Sequence, residues 1–144
     1  MTPTIFVLNG PNLNLLGTRE PEIYGSDTLD DIAQALHEQA TTLGVEIDMR
    51  QTNHEGVLVD WLHEAREVGA KAVLLNAGAY THTSIAILDA IKAIGVPVIE
   101  VHLSDPSTRE EFRHVSYVGM GAVDEVKGLG PRSYSVALEK AAAL

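Results

Sequence analysis

The alternation of short apolar runs with helical patterns is the feature that most constrains the fold of this chain. Four runs rich in Val, Ile and Leu have the character of strands buried in a parallel sheet: residues 4–8, 45–51, 71–76 and 96–102. A fifth run, residues 121–128, is interrupted by charged side chains and is therefore predicted as an edge strand. Strands that alternate with helices predict right-handed βαβ units and an open parallel sheet with helices on both faces.

Four segments show the i, i+3, i+4 spacing of amphipathic helices. The first, residues 29–43, follows a TLDD sequence that resembles a capping box, and Gly44 is available to end it. The others are predicted between Asn53 and Gly69, from near Thr83 to Gly95, and over residues 131–144.

One domain with a single core, residues 1–144, is expected from this pattern. For about five strands the natural prediction is an α/β, flavodoxin-like, three-layer fold with strand order 2-1-3-4-5. Ligands in such sheets bind at the carboxyl ends of the strands, beside the point where the strand order reverses.

Composition excludes several classes of function. Ten Lys and Arg against twenty Asp and Glu give a net charge of −10, so nucleic acid and anionic membranes are not expected as partners. The absence of cysteine excludes disulfides, thiolate metal sites and cysteine nucleophiles, and a cytoplasmic location is expected. The N-terminus lacks the features of a signal peptide, and no apolar run approaches the ~20 residues that span a bilayer.

Metal and nucleotide motifs are absent from the sequence. The six histidines show no HExxH or His-x-His spacing, and there is neither a Walker loop nor a GxGxxG sequence. The NGPN sequence after the first strand places a proline where a phosphate cradle needs N–H donors. We therefore expect neither a metal ion nor a nucleotide.

Polar residues follow three of the predicted strands, and we expect them to converge at one edge of the sheet. They are Asn9 and the long loop with Asn12, Arg19 and Tyr24 after the first strand, Asn76 and His82 after the third, and Glu100, His102 and Ser104 at the end of the fourth. The asparagines either donate to substrate oxygens or cap turns, which is the commoner role of an isolated Asn.

Glu100 and His102 are two residues apart on a strand, so their side chains lie on the same face and can touch. A carboxylate beside an imidazole fixes its tautomer and favours its cationic form, as a general acid requires. The alternative is a core histidine satisfied by a buried partner.

Arg19 and Tyr24 share the long loop. A nearby guanidinium favours the phenolate form of tyrosine, so the pair could remove a proton from carbon. The alternative is that Tyr24 packs under the loop while Arg19 pairs with Glu20 or Glu22.

The segment 104–113 predicts a helix start, with Asp105 as N-cap and Pro106 at the first helical position. Free N–H groups at such a start could hold a carboxylate or a phosphate group.

Four long segments then show that the chain resembles the type II 3-dehydroquinate dehydratases over nearly its whole length: residues 8–25, 53–65, 75–90 and 99–117. The resemblance implies a flavodoxin-like subunit, assembled as a dodecamer of trimers, that converts 3-dehydroquinate to 3-dehydroshikimate in the shikimate pathway without cofactor or metal. Quinate breakdown would use the same reaction.

The resemblance also implies a role for each candidate residue. Tyr24, activated by Arg19, would accept the proton from carbon 2, Asn12 would stabilise the enolate through a water, and His102, oriented by Glu100, would protonate the departing hydroxyl. The substrate-binding residues would be Asn76, Leu103 and Ser104 for the carboxylate, His82 and Arg113 for the ring hydroxyls, and Asp89 from a neighbouring subunit.

The long loop would then be a lid that closes over the substrate, with Leu13, Leu15 and Leu16 anchoring its base. One departure from the family pattern is Asp105, where Asn is common; its carboxylate is expected to repel that of the substrate unless it turns away to cap the helix. The rival functions are a non-catalytic module that binds a carboxylate on the same fold, and a flavin or nucleotide carrier.

Overall fold

The computed structural model describes residues 1–18, 22 and 26–144. Five parallel strands form one sheet in the order β2-β1-β3-β4-β5, which confirms the predicted topology. The strands are β1 Thr4–Asn9, β2 Glu46–Gln51, β3 Ala72–Asn76, β4 Val98–Val101 and β5 Asp124–Val126.

Helices cover both faces of the sheet in the part of the chain that the structure describes. They are α1 Leu29–Leu43, α2 Glu55–Glu67, α3 Ile85–Ile94, α4 Tyr117–Gly121 and α5 Arg132–Ala142. Side chains of β1 alternate between two cores, with Ile5 and Val7 against α1 and α5, and Phe6 and Leu8 against α2 and α3. Among the described residues, no helix combines the length and apolarity needed to cross a lipid bilayer.

The helix ends agree with the sequence signals to within one or two residues. Thr28 and Asp31 form the predicted capping box, and Gly44 ends α1 at a φ of 74°. Helix α2 begins after His54 rather than at Asn53, because the side chain of Asn53 accepts from the Asn12 N–H in the loop after β1 and from Gln51 of β2 instead of capping the helix. Ser84, one residue after the predicted position, caps α3 by accepting from the Ile87 N–H at 3.0 Å.

The segment after β4 differs from its prediction. Two 3₁₀ turns, Pro106–Thr108 and Glu111–Arg113, stand where a helix start was expected. Asp105 does cap the first turn, since its carboxylate accepts from the Ser107 N–H at 3.0 Å and from the Ser107 hydroxyl at 2.7 Å. Asp105 as N-cap and Pro106 at the first helical position are confirmed, but the element is a 3₁₀ turn rather than an α-helix, and its Ser107 N–H is taken by Asp105 instead of being free for an anion.

The first part of the long loop is tied to the core. Leu13 and Leu16 are buried, as predicted, but Leu15 is 51% exposed. A 3₁₀ turn, Leu13–Leu15 with Leu16 as its C-cap, has three residues per turn, so Leu13 and Leu16 lie on the same side and Leu15 lies on another. The expectation that Leu15 anchors the loop is wrong. Arg19 and Tyr24 lie outside the described residues.

Candidate active site

A pocket opens at the carboxyl ends of β1, β3 and β4, where the sheet topology predicts a ligand site. Seven of the predicted site residues line it: Asn12, Asn76, His82, His102, Leu103, Ser104 and Arg113. The structure therefore brings together candidates that are up to 101 residues apart, from Asn12 to Arg113.

Two predicted residues contribute differently to the site. Glu100 lies behind His102 rather than in the lining, and Asp89 is exposed on α3, away from the pocket of its own chain. Asn9 ends β1 but is fully buried, with its amide donating to the Arg50 carbonyl at 3.0 Å. The expectation that Asn9 joins the pocket is wrong, because its side chain is engaged below it.

The acid candidate is a buried pair at the end of β4. Nε2 of His102 lies 2.5 Å from Oε2 of Glu100, and the two residues are 7% and 1% exposed. The Ser116 hydroxyl donates to the same carboxylate oxygen at 2.5 Å. Among the described residues, Nδ1 of His102 has no hydrogen-bond partner, so this nitrogen is the one available to a substrate.

The environment of Glu100 keeps it ionised. Burial raises the pKa of its carboxyl, but hydrogen bonds from His102 and Ser116 outweigh burial and leave the pKa below its usual value. An anionic Glu100 requires a hydrogen on Nε2 of His102 and stabilises the imidazolium that forms when Nδ1 also gains a proton. This arrangement suits a group that gives up a proton from Nδ1.

Asn12, in the loop after β1, has a φ of 70°. Non-glycine residues rarely adopt this left-handed backbone conformation. Oδ1 of Asn53 accepts from the Asn12 N–H at 3.1 Å and from Nε2 of Gln51 at 3.1 Å. Asn53 therefore holds the backbone of Asn12, which lines the pocket, a role that the prediction of a helix start at Asn53 did not include.

The polar wall of the pocket is formed by His82 and two arginines. Nδ1 of His82 bonds the Val115 carbonyl at 2.7 Å, and burial lowers the pKa of its imidazole. Nε of Arg113 donates to Glu110 at 3.1 Å. Arg109, which sequence reasoning missed, also lines the pocket and lies 3.5 Å from the Ser104 hydroxyl. Its position four residues before Arg113 in the same segment was the available signal.

Asp105 does not line the pocket. Its carboxylate is directed to Ser107, with Nζ of Lys127 at 3.8 Å, and the hydrogen bonds from Ser107 hold the pKa of that carboxyl below its usual value. The expected repulsion of a substrate carboxylate is thus reduced by the turn that Asp105 caps.

Ligand atoms of Glu100, His102 and Glu125 lie within 4.8 Å of one another. Glu100 already accepts from His102 and Ser116, and Glu125 pairs with Lys127 at 3.1 Å. Glu100 also has a side-chain hydrogen bond with Glu125. Each of the three side chains thus has a protein partner, and a metal-free site stays a prediction.

Comparison with known proteins supports the resemblance. The family model for dehydroquinase class II matches residues 3–142. The chain is 57% identical to a 3-dehydroquinate dehydratase from Caulobacter vibrioides over 98% of this chain and 96% of that one. It is 56% identical to one from Phenylobacterium zucineum, covering 100% of this chain and 99% of the relative.

Solved structures give the same answer. The type II dehydroquinase from Propionibacterium acnes superposes with a TM-score of 0.95 at 43% identity, covering 100% of this chain and 99% of that one. A type II dehydroquinase from Butyrivibrio crossotus also superposes at 0.95, with 38% identity and 97% coverage of both chains. A match of this extent to sequence, fold and strand order means that the chain belongs to the class II dehydroquinase family.

Proposed function

We propose that this pocket dehydrates 3-dehydroquinate to 3-dehydroshikimate, as a hydro-lyase of the shikimate pathway, with His102 as the general acid. The observation that carries the proposal is the buried Glu100–His102 pair in a class II dehydroquinase chain, because His102 lines the pocket while its Nε2 is held by Glu100. No observation favours a module that binds a carboxylate without reaction.

The reaction needs a base and an acid at separate atoms. Removal of a proton from carbon 2 gives an enolate; the enolate then re-forms the ketone and a double bond between carbons 1 and 2, and expels the hydroxyl at carbon 1. His102 protonates that hydroxyl, which leaves as water. Glu100 stabilises the imidazolium before the transfer. Afterwards His102 regains a proton and the base releases the one taken from carbon 2, so the net reaction is 3-dehydroquinate to 3-dehydroshikimate and water.

Tyr24 is the proposed base, with Arg19 favouring its phenolate, and both assignments rest on the family resemblance. Asn12 is proposed to stabilise the enolate oxygen through a water. Its place in the pocket lining and its constrained backbone support this role, because a site that develops charge benefits from groups held in advance.

The substrate-binding residues are proposed from their places in the lining. Asn76, the Leu103–Ser104 backbone and the Ser104 hydroxyl would hold the carboxylate, while His82 and Arg113 would hold ring hydroxyls. Arg109 and Arg113 would make the pocket locally positive in a chain of net charge −10.

Asp89 is proposed to complete the pocket of a neighbouring copy, in a dodecamer built from trimers and located in the cytoplasm. Asp89 and Ile85 lie one turn apart on α3, and Ile85 is 57% exposed. Met120 of the adjacent α4 is 59% exposed. Exposed apolar side chains beside an exposed carboxylate support a contact between copies at this surface.

The proposal is tested by following the ultraviolet absorbance of the conjugated enone when 3-dehydroquinate is added to wild type, Tyr24→Phe and His102→Ala, with EDTA present throughout. We expect product from wild type and a loss of at least about a hundredfold in kcat for each variant, the usual contribution of an acid or base. Folded wild type that yields no product would contradict the proposed reaction, and an active His102→Ala would contradict the role of His102.

A further inference from the structure

One buried tyrosine has no part in the proposed reaction but contacts the site from below. Tyr134 of α5 is fully buried, and its hydroxyl lies between two asparagines that end adjacent strands, Asn9 of β1 and Asn76 of β3. Asn76 lines the pocket, whereas Tyr134 and Asn9 do not.

Tyr134, Asn9 and Asn76 belong to a series of hydrogen bonds that begins at the Arg50 carbonyl and ends at the Gly78 N–H. These two backbone groups set the direction of every bond in the series. The Arg50 carbonyl can only accept, so the Asn9 atom 3.0 Å away is Nδ2, and Oδ1 of Asn9 faces Tyr134 at 2.6 Å. The Gly78 N–H can only donate, so the Asn76 atom 3.2 Å away is Oδ1, and Nδ2 of Asn76 faces Tyr134 at 2.9 Å. The single hydroxyl proton of Tyr134 therefore goes to Asn9, and its oxygen accepts from Asn76.

Burial also keeps this hydroxyl in one state. It raises the pKa of Tyr134 far above its ordinary value, so the hydroxyl stays protonated at neutral pH. Four hydrogen bonds run in series from the Arg50 carbonyl through Asn9, Tyr134 and Asn76 to the Gly78 N–H. With Tyr134 in place, each side-chain polar atom in this series has a partner, which a buried polar group requires.

We infer that Tyr134 is a positioning residue: it holds Nδ2 of Asn76 so that the second hydrogen of this amide, and not its oxygen, is presented to the carboxylate of the substrate. This inference rests on the proposed role of Asn76 in substrate binding. Without the hydroxyl, only the Gly78 N–H opposes a half-turn of the Asn76 amide, which would direct an oxygen lone pair at the carboxylate.

The variant Tyr134→Phe removes the hydroxyl and keeps the ring. We expect KM for 3-dehydroquinate to rise roughly five- to thirtyfold, with kcat changed by less than about twofold, because a carboxylate contact is made equally in the ground and transition states. Tyr117→Phe is the matched control, since the Tyr117 hydroxyl has no hydrogen-bond partner among the described residues and lies outside the pocket lining. Its KM should equal that of wild type.

The double variant shows whether Tyr134 acts through Asn76. Asn76→Ala alone should raise KM, and adding Tyr134→Phe should raise it no further, since the group that Tyr134 positions is gone. If Asn76→Ala leaves KM unchanged, the role of Asn76 is wrong and the inference falls with it. The inference is wrong, and the proposed reaction stands, if Asn76→Ala raises KM but Tyr134→Phe lowers only stability. The same conclusion follows if the effects of the two substitutions on KM add in the double variant.

A measurement on wild type covers the case in which Tyr134→Phe does not fold. In ¹⁵N-labelled protein, one side-chain NH₂ hydrogen of Asn76 should show an NOE to Tyr134, because Nδ2 lies 2.9 Å from the Tyr134 hydroxyl and a half-turn of the amide would move both hydrogens away from it. An Asn76 NH₂ group with no NOE to Tyr134 would overturn the inference.

Discussion

The Glu100 carboxylate shows how neighbouring donors can reverse the effect of burial. Burial by itself disfavours its charge, yet His102 and Ser116 both donate to Oε2, and the result is a pKa below the ordinary value. A fixed negative charge beneath His102 is what the proposed acid needs.

This pKa predicts how stability changes with pH. In the folded state the pKa of Glu100 lies below its ordinary value of 4.5. The ionised carboxylate therefore contributes its full stabilisation above pH 4.5, and this contribution is lost as the pH falls through the lower pKa of the folded state. Glu100→Gln removes the titration. Urea unfolding at pH 6 and at pH 3.5 should therefore show wild type more stable than the variant at pH 6, with a smaller difference at pH 3.5; a constant difference would contradict this account.

At the scale of elements, the site depends on the close approach of the connections after β1 and β3. The Gly10 N–H donates to the Asn76 carbonyl at 2.8 Å, and a Cβ on Gly10 would lie 2.4 Å from the Ala77 carbonyl oxygen. Glycine is required here because two backbones pass within contact distance. Their approach places Asn12 and Asn76 on one pocket.

Gly10→Ala should force these two connections apart. We expect the free energy of unfolding to fall by about 1–3 kcal/mol, as for an overpacked core, and KM to rise because Asn12 and Asn76 separate. Gly56→Ala is the matched control: the added Cβ has no atom within 4 Å, and in α2 it should raise stability by up to about 1 kcal/mol. Equal unfolding curves for the two variants would contradict the packing argument.

At the scale of the whole molecule, an acidic chain must bind an anion. The net charge of −10 repels an anion at long range. Arg109, Arg113 and the amides in the pocket lining supply positive charge and hydrogen-bond donors close to the bound anion. Asp89 is absent from this local balance, since it lies exposed on α3 and is proposed to serve another copy.

Mixed assemblies test that proposal. Asp89→Ala and His102→Ala should each have low activity, but when the two are unfolded, mixed in equal amounts and refolded, about a quarter of the sites should join an intact His102 to an intact Asp89 from its neighbour. Activity should therefore reappear on mixing, measured against each variant refolded alone. Full activity of Asp89→Ala, or no gain on mixing, would contradict a shared site.

The strands, their order and the Glu100–His102 pair could be predicted from the sequence because they depend on local spacing. A period of two places Glu100 and His102 on one face of a strand, and β/α alternation restricts the sheet to few topologies. The capping box at Thr28 follows from neighbours in the chain for the same reason.

The errors occur where a local signal is overridden by a distant contact or by the geometry of a short turn. Asn53 has the character of a helix cap, but its oxygen is used by Asn12, 41 residues away. Leu15 has the character of a core residue, but the turn directs it outward. In the segment 104–113, the 3₁₀ turns Pro106–Thr108 and Glu111–Arg113 stand in place of the expected helix.

The sequence by itself therefore determined the sheet, the family and most of the pocket lining, because repeated short-range patterns carry that information. Only the tertiary structure decided that Tyr134 links Asn9 and Asn76 across separations of 125 and 58 residues. No spacing rule connects these positions; burial joins them, since each polar group taken out of water must find a partner among whatever residues packing brings near.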